Sequence, residues 1–213
     1  MKRYHGSRPY SPAEIRADAV VHVLGLSAGV IAAAILLTRV VLTGGAWVPL
    51  MVYVLGLLAM LSFSATYNLW PATPVKWILR RFDHSAIYLL IAGTYTALLP
   101  FLTSRTEAVV LGLIIWTVAG LGIVLKVALP GRFDKLAIAV YLGMGWAGVF
   151  SIRSFMAVLP MTTQVLIAVG GLLYTVGVIF YVWERLKFQN AIWHAFVATA
   201  AGCQFAGIAY LYS

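Results

Sequence analysis

Six side chains with metal-binding, proton-transferring or hydrogen-bonding chemistry interrupt a chain that is otherwise short of polar groups. They fall in four stretches that are distant in sequence: His22, Asn68, Asp83 with His84, and Asn190 with His194. Imidazole and carboxylate groups bind metals and act as general acids or bases. Asn190 and His194 are four residues apart, so on a helix they lie on one face. Whether the six form one site depends on the elements that carry them.

The composition indicates a membrane protein. Of 213 residues, 62% are hydrophobic and only 10% are charged, which is far from the composition of a soluble domain. The net charge of +9 does not indicate a nucleic-acid partner, because the basic residues separate apolar runs instead of clustering on a soluble surface. The single cysteine, Cys203, lies in an apolar run, which excludes a disulfide framework and a multi-cysteine metal site.

Seven apolar runs have about the length that a membrane-spanning helix needs. They cover residues 20–42, 46–67, 83–103, 107–129, 135–152, 162–183 and 191–212, and the fifth is the shortest. The runs lack the polar alternation of barrel strands. The sequence therefore predicts an all-α, polytopic membrane protein in which residues 1–213 form a single seven-helix domain.

Residues 1–19 form a predicted cytoplasmic segment, within which the first helix begins before the membrane. Ser11, Pro12 and Glu14 match an N-cap, a first-turn proline and a capping-box acid, so we expect a helix from about residue 12. On that helix His22 could take part in a site, or it could hydrogen-bond Glu14 or Asp18.

The distribution of Lys and Arg predicts the orientation. Twelve of the fifteen lie on one side of the predicted topology, and only Arg39, Arg105 and Arg153 lie on the other. By the positive-inside rule the N-terminus is cytoplasmic and the C-terminus is outside. We expect a multi-pass membrane protein.

With this topology, all six polar side chains lie at the cytoplasmic ends of their spans. Ionisable groups at membrane depth are costly unless they are paired, hydrated or metal-bound, so their convergence indicates one buried site. The alternative is that each residue serves its own helix end, by snorkelling or by capping. Asp83 in particular could cap the third span or interact with its macrodipole.

Four stretches resemble the signatures of the hemolysin-III-like membrane proteins, the bacterial branch of the progestin and adipoQ receptor superfamily. They are "EIRADAVVHVLG" (14–25), "RRFDHSAIYLLIAGTYT" (80–96), "GGLLYTVGVIFY" (170–181) and "NAIWHAFV" (190–197). The resemblance covers almost the whole chain and implies a seven-helix fold with a cytoplasmic N-terminus. Adiponectin receptors are eukaryotic relatives.

The resemblance also implies a zinc site near the cytoplasmic face. Its ligands would be one histidine at the end of the second helix and two histidines four apart on the seventh, with an aspartate on the third helix holding a zinc-bound water. Three protein ligands leave a fourth position open for that water. In the receptor branch the resemblance suggests hydrolysis of lipid amides.

Carried over residue by residue, the implied site is incomplete here. Asp83 matches the water-holding aspartate and His194 matches the second histidine of the seventh helix. Asn68, in "SATYN" after Ser64, and Asn190 stand where the family has its other two histidines. Gln204 stands where many bacterial relatives have a further histidine. Ser64, His22, His84 and Gln204 are secondary site candidates.

The two amides predict a degenerate metal site. An amide oxygen is a poor zinc ligand beside imidazole and suits hard cations better. A set of His194, Asp83 and His22 could still hold a metal, or the amides could form a hydrogen-bonded cluster with Asp83 and His194 that holds three helices together.

Three classes of function follow from this reading. The first is a membrane-homeostasis or receptor-like role for a protein surrounded by membrane lipids. The second is a metal-dependent lipid-amide hydrolase, similar to a ceramidase, with Asp83 orienting the water. A channel or transporter would need a comparable polar set toward the other membrane face, and seven long spans argue against a secreted lytic protein. Spacings such as Gly25 and Gly29 permit a homo-oligomer without requiring one.

Overall fold

The computed structural model describes residues 10–212, and within that range it contains helices and no strand. The α-helices are α1 (Pro12–Leu42), α2 (Trp47–Leu69), α3 (Pro74–Leu98), α4 (Arg105–Ala128), α5 (Asp134–Trp146), α6 (Ile152–Val158), α7 (Met161–Val182) and α8 (Gln189–Leu211). Taking α5 and α6 together, seven helical segments are long and apolar enough to cross a membrane. The predicted all-α membrane fold with seven spans is confirmed. Which membrane side each end faces stays a prediction, and residues 1–9 of the predicted cytoplasmic segment lie outside the described residues.

The first helix starts where its capping signal predicts. The Ser11 hydroxyl accepts a hydrogen bond from the Glu14 N–H (3.3 Å), and the Glu14 carboxylate accepts one from the Ser11 N–H (2.9 Å). Pro12 occupies the first turn, where its missing N–H costs nothing. Because α1 starts at Pro12 instead of residue 20, Asp18 and His22 both lie on regular helix.

The third helix starts earlier than the apolar run indicates. It begins at Pro74, not near residue 83, because Pro74 is a favoured first-turn residue and ion pairs hold the polar turns that follow. Arg80 and Lys126 both bind the carboxylate of Asp134, at 2.7 Å and 2.6 Å. Asp83 therefore lies well inside α3, which excludes the alternative that it caps the helix.

The fifth span is interrupted. Helix α5 ends at Trp146, residues 147–151 form a 3₁₀ turn, and α6 continues to Val158. The Tyr95 hydroxyl of α3 holds this break: it donates to the carbonyl of Met144 (2.9 Å) and accepts from the N–H of Gly148 (2.7 Å).

The helices follow one another around the bundle and leave a cavity inside it. Helix α1 packs between α2 and α8, α2 packs against α3, α3 against α4, and α7 against α8. Helices α2 and α3 approach each other closely, since a Cβ on Gly56 would lie 2.7 Å from the Leu89 carbonyl oxygen. The fifth span makes fewer contacts with α3, α4 and α7, and the cavity lies on its inner side.

Candidate functional site

His194 is the centre of a hydrogen-bonded cluster near the start of α8. Its Nδ1 lies 2.6 Å from the Asp18 Oδ1 of α1, and its Nε2 lies 3.5 Å from the Asn68 Nδ2 of α2. These contacts fit the tautomer that donates from Nδ1 and accepts at Nε2. Both His194 and Asp18 are buried, with 8% and 6% of their surface exposed.

The two asparagines complete this cluster. The Asn190 side-chain amide donates to the Asp18 Oδ2 (3.4 Å) and to the Asn68 Oδ1 (3.3 Å). The Asn68 amide also donates to the Ser64 carbonyl (2.9 Å). We call Asp18, Asn68, Asn190 and His194 the helix-end network. It joins α1, α2 and α8, and the carboxylate that it uses is Asp18, whereas the sequence suggests Asp83.

Asp83 and His84 face the large cavity beside this network. The Asp83 Oδ2 lies 3.2 Å from the His84 Nδ1, although the angles do not meet hydrogen-bond geometry. Asp83, His84, Ser64, Asn68, Asn190 and His194 all line the cavity, so the structure brings the predicted site stretches to one end of the bundle.

His22 lies next to the network without completing it. Its ring centroid is 4.3 Å from that of His194, and its Nε2 is 3.7 Å from the Asp18 Oδ2. The Nε2 is buried and has no hydrogen-bond partner among the described residues. A buried ring nitrogen without a partner is costly, and a metal ion is one group that would satisfy it.

Asp18, His22 and His194 form a candidate metal-binding group. One ligand atom from each lies within 4.8 Å of the others, and in the described part of the chain this is the one such group of three. Two imidazoles and a carboxylate are also the donor set of some catalytic zinc sites, which leave a fourth position open. The three residues therefore fit a metal ion. The carboxylate of this group is Asp18, whereas the sequence suggests Asp83.

Asp18 is the site residue that the sequence does not single out. The sequence marks it only as a hydrogen-bond partner for His22. The available signal is its spacing: Asp18 and His22 are four apart on a helix whose start the capping box predicts, so they share a face.

Contacts from the start of α1 hold that face against α8. The Glu14 Oε1 accepts a hydrogen bond from the Phe188 N–H (2.8 Å), and the Tyr10 hydroxyl donates to the Gln189 side-chain oxygen (3.0 Å). Phe188 has a φ of 59° and directly precedes α8. These bonds fix the register of α1 against α8 and so place Asp18 beside His194.

The cavity has a volume of about 670 Å³ and runs along the bundle away from this site. At one end it meets Asp83 and His194, and farther along its wall is mostly apolar, with Ile91 and Leu98 of α3 and Phe155 of α6. Asp83 and Leu98 are fifteen residues apart on α3, about 22 Å along a helix axis. Gln204 also lines the cavity, but it is ten residues beyond His194 and lies outside the network.

The comparison with known proteins decides the family. Residues 15–205 match the family model described as "Haemolysin-III related". The chain belongs to this family. The family predicted from the sequence motifs is thus confirmed.

The relatives cover most of this haemolysin-III-related chain. It is 36% identical to the "Hemolysin-3 homolog" of Bacillus subtilis (strain 168) over 89% of its own length and 90% of the relative's. It is also 36% identical to "Hemolysin-3" of Bacillus cereus, over 89% and 87% of the two chains. The human "Monocyte to macrophage differentiation factor" is 28% identical over 76% and 69% of the two chains.

Proposed function

We propose that this protein binds a membrane lipid in the cavity, with the lipid headgroup at Asp83 and His194 and an acyl chain along the apolar wall. The observation that carries the proposal is the shape and lining of the cavity: one end is polar and the remainder is long and apolar. Ligand sites are usually largely apolar with a few polar groups that fix orientation. A single-chain lipid likewise has a polar headgroup at one end and a long apolar chain.

The helix-end network supports a binding role, such as a receptor-like or membrane-homeostasis function. Asn68 and Asn190 stand at the positions that the family resemblance gives to two metal ligands, and their amides donate hydrogen bonds within the network. Where amides bond to neighbouring side chains in this way, those positions need no metal to satisfy them. The partners in this proposal are membrane lipids, and nucleic acid has no part in it.

We propose that the protein lies in a bacterial inner membrane with its N-terminus in the cytoplasm. The Bacillus relatives support the bacterial setting, and the excess of Lys and Arg at the site end supports the orientation.

Lipid binding is tested by native mass spectrometry of the detergent-purified protein with added octadecanoic acid. We expect one bound molecule per chain, and its loss in Ile91→Trp or Val178→Trp, each of which fills the cavity. Leu113→Trp is the matched control, since Leu113 is 64% exposed on α4. Equal binding by the cavity variants and the control would contradict the proposal.

The unpartnered nitrogen of His22 favours a second candidate, a metal-dependent lipid-amide hydrolase. Asp18, His22 and His194 would hold the metal, which when bound would supply a Lewis acid and an acidified water. Asp83 faces the same cavity, and in this candidate it would orient the attacking water and accept its proton. Hydrolysis would break the amide C–N bond, leaving the hydroxyl of water on the acyl carbon and its proton on the amine.

Metal content separates the two candidates. We would measure it by inductively coupled plasma mass spectrometry for the wild type, His22→Ala and Asn68→His/Asn190→His. The hydrolase candidate predicts about one metal per wild-type chain, lost in His22→Ala, and a lipid-amide hydrolysis rate that Asp83→Ala abolishes. Metal-free wild type, with zinc gained only by the double histidine variant, would contradict the hydrolase and agree with the binding role.

A further inference from the structure

Two polar side chains, those of Tyr174 and Gln204, face the middle of the cavity. The Tyr174 hydroxyl of α7 is buried and has no hydrogen bond among the described residues. Gln204 of α8 is half-buried and lines the same cavity. An unpaired buried hydroxyl or amide costs about 1–3 kcal/mol, so this part of the wall favours a ligand atom that can pair with it.

The helix packing brings Gln204 against α7 one turn before Tyr174. A Cβ on Gly170 would lie 2.7 Å from the Gln204 Cγ, so Gln204 extends across Gly170. Tyr174 is four residues after Gly170 on α7, on the same face. Because helical side chains point toward the helix N-terminus, the Tyr174 ring leans toward the turn that Gln204 covers.

Other polar groups on the same wall are satisfied by the protein. Thr94 donates to the Leu90 carbonyl (2.9 Å), Thr175 donates to the Gly171 carbonyl (2.8 Å), and the Trp146 indole donates to Thr175 (3.0 Å). The hydroxyl of Tyr53 is also unpartnered, but Tyr53 does not line the cavity. In this part of the wall Tyr174 and Gln204 therefore remain for a ligand to reach, whereas the His84 Nδ1, also without a hydrogen bond among the described residues, lies at the polar end of the cavity.

We propose that Tyr174 and Gln204 form a second polar subsite that recognises a hydroxyl group in the middle of a lipid acyl chain. This inference rests on the proposed function, lipid binding in the cavity. Gln204 lies ten residues beyond His194 on α8, about 15 Å along the helix axis. The ligand class is thus an acyl lipid whose chain carries an oxygen well away from its headgroup, with Tyr174 and Gln204 able both to donate to it and to accept from it.

Binding of matched fatty acids tests the subsite. The probes are octadecanoic acid, 12-hydroxyoctadecanoic acid and 2-hydroxyoctadecanoic acid, titrated into the purified full chain and followed by native mass spectrometry. We expect the 12-hydroxy acid to bind about fivefold more tightly than octadecanoic acid, the effect of one net hydrogen bond. The 2-hydroxy acid, whose hydroxyl adjoins the carboxylate, is expected to show no such preference.

The variants assign the preference to the subsite. Tyr174→Phe and Gln204→Leu should each reduce it to about twofold or less while octadecanoic acid still binds. Tyr88→Phe is the matched control, since it removes one tyrosine oxygen inside the bundle at a position that does not line the cavity, and it should keep the preference.

The outcomes separate this inference from the function on which it rests. Binding of octadecanoic acid with no preference for the 12-hydroxy acid, or a preference kept by both variants, would overturn the subsite and leave lipid binding intact. No binding of any of the three acids by the wild type would overturn the proposed function together with the subsite.

Discussion

The two sides of the cavity are built differently. On one side α2 and α3 approach so closely that Gly56 has no room for a side chain, and the helix-end network ties α1, α2 and α8 together. On the other side the fifth span is broken, and a Cβ on Gly145, which lines the cavity, would meet nothing within 4 Å. The first side fixes the polar end of the site, and the looser packing of the second leaves the volume of the cavity.

The largest expected effect comes from removing the carboxylate at the centre of the network. Asp18→Ala leaves the His194 Nδ1 and the Asn190 amide without their shared acceptor in a buried place. We expect a loss of about 3 kcal/mol in the free energy of unfolding, measured by thermal denaturation in detergent. Asp18→Asn is the control, because it keeps an oxygen for His194 and should lose less than half as much. Equal losses in the two variants would show that the hydrogen bond from His194 is not what stabilises the network.

A single type of substitution compares the two sides directly. Gly56→Ala forces a methyl group against the backbone of α3 and should destabilise the protein by about 2 kcal/mol, as overpacking does. Gly145→Ala, in open space beside the cavity at the end of α5, should be neutral or stabilising by up to about 1 kcal/mol, since alanine favours helix. Thermal denaturation of both variants checks this, and a similar loss at the two positions would contradict the difference in packing.

The smallest expected effect concerns the contact that connects the two sides. Tyr95→Phe removes the hydroxyl that bonds Met144 and Gly148 at the break in the fifth span. We expect a loss of about 1 kcal/mol and faster amide hydrogen exchange in residues 144–149. Tyr210→Phe, on the exposed side of α8, is the control. Unchanged exchange in Tyr95→Phe would show that the break is held by other contacts.

Much of the fold can be predicted from the sequence, because apolar run length and the capping box report directly on helices. The start of α3 could not be predicted in this way. Pro74 begins a helix whose first turns carry Lys76, Arg80 and Arg81, and these turns fall outside the apolar run. The break after Trp146 depends on a tertiary contact from Tyr95, which no local pattern contains.

Part of the site can also be predicted from the sequence. Motif resemblance selects Asn68, Asn190 and His194, which the structure joins in one network. Asp18 joins them only because α1 packs against α8, and that neighbour relation is a property of the folded bundle. The specific roles of Asp83, Ser64, His84 and Gln204 stay predictions.

The most direct test of the central claim, lipid binding inside the bundle, is photolabelling with a fatty acid that carries a diazirine at mid-chain. Peptide mapping by mass spectrometry should place the label on cavity residues such as Ile91, Tyr95 and Trp146, and excess octadecanoic acid should remove it. Label confined to the outer surface of α4, at residues such as Leu113 and Leu121, and insensitive to the competitor would contradict the account.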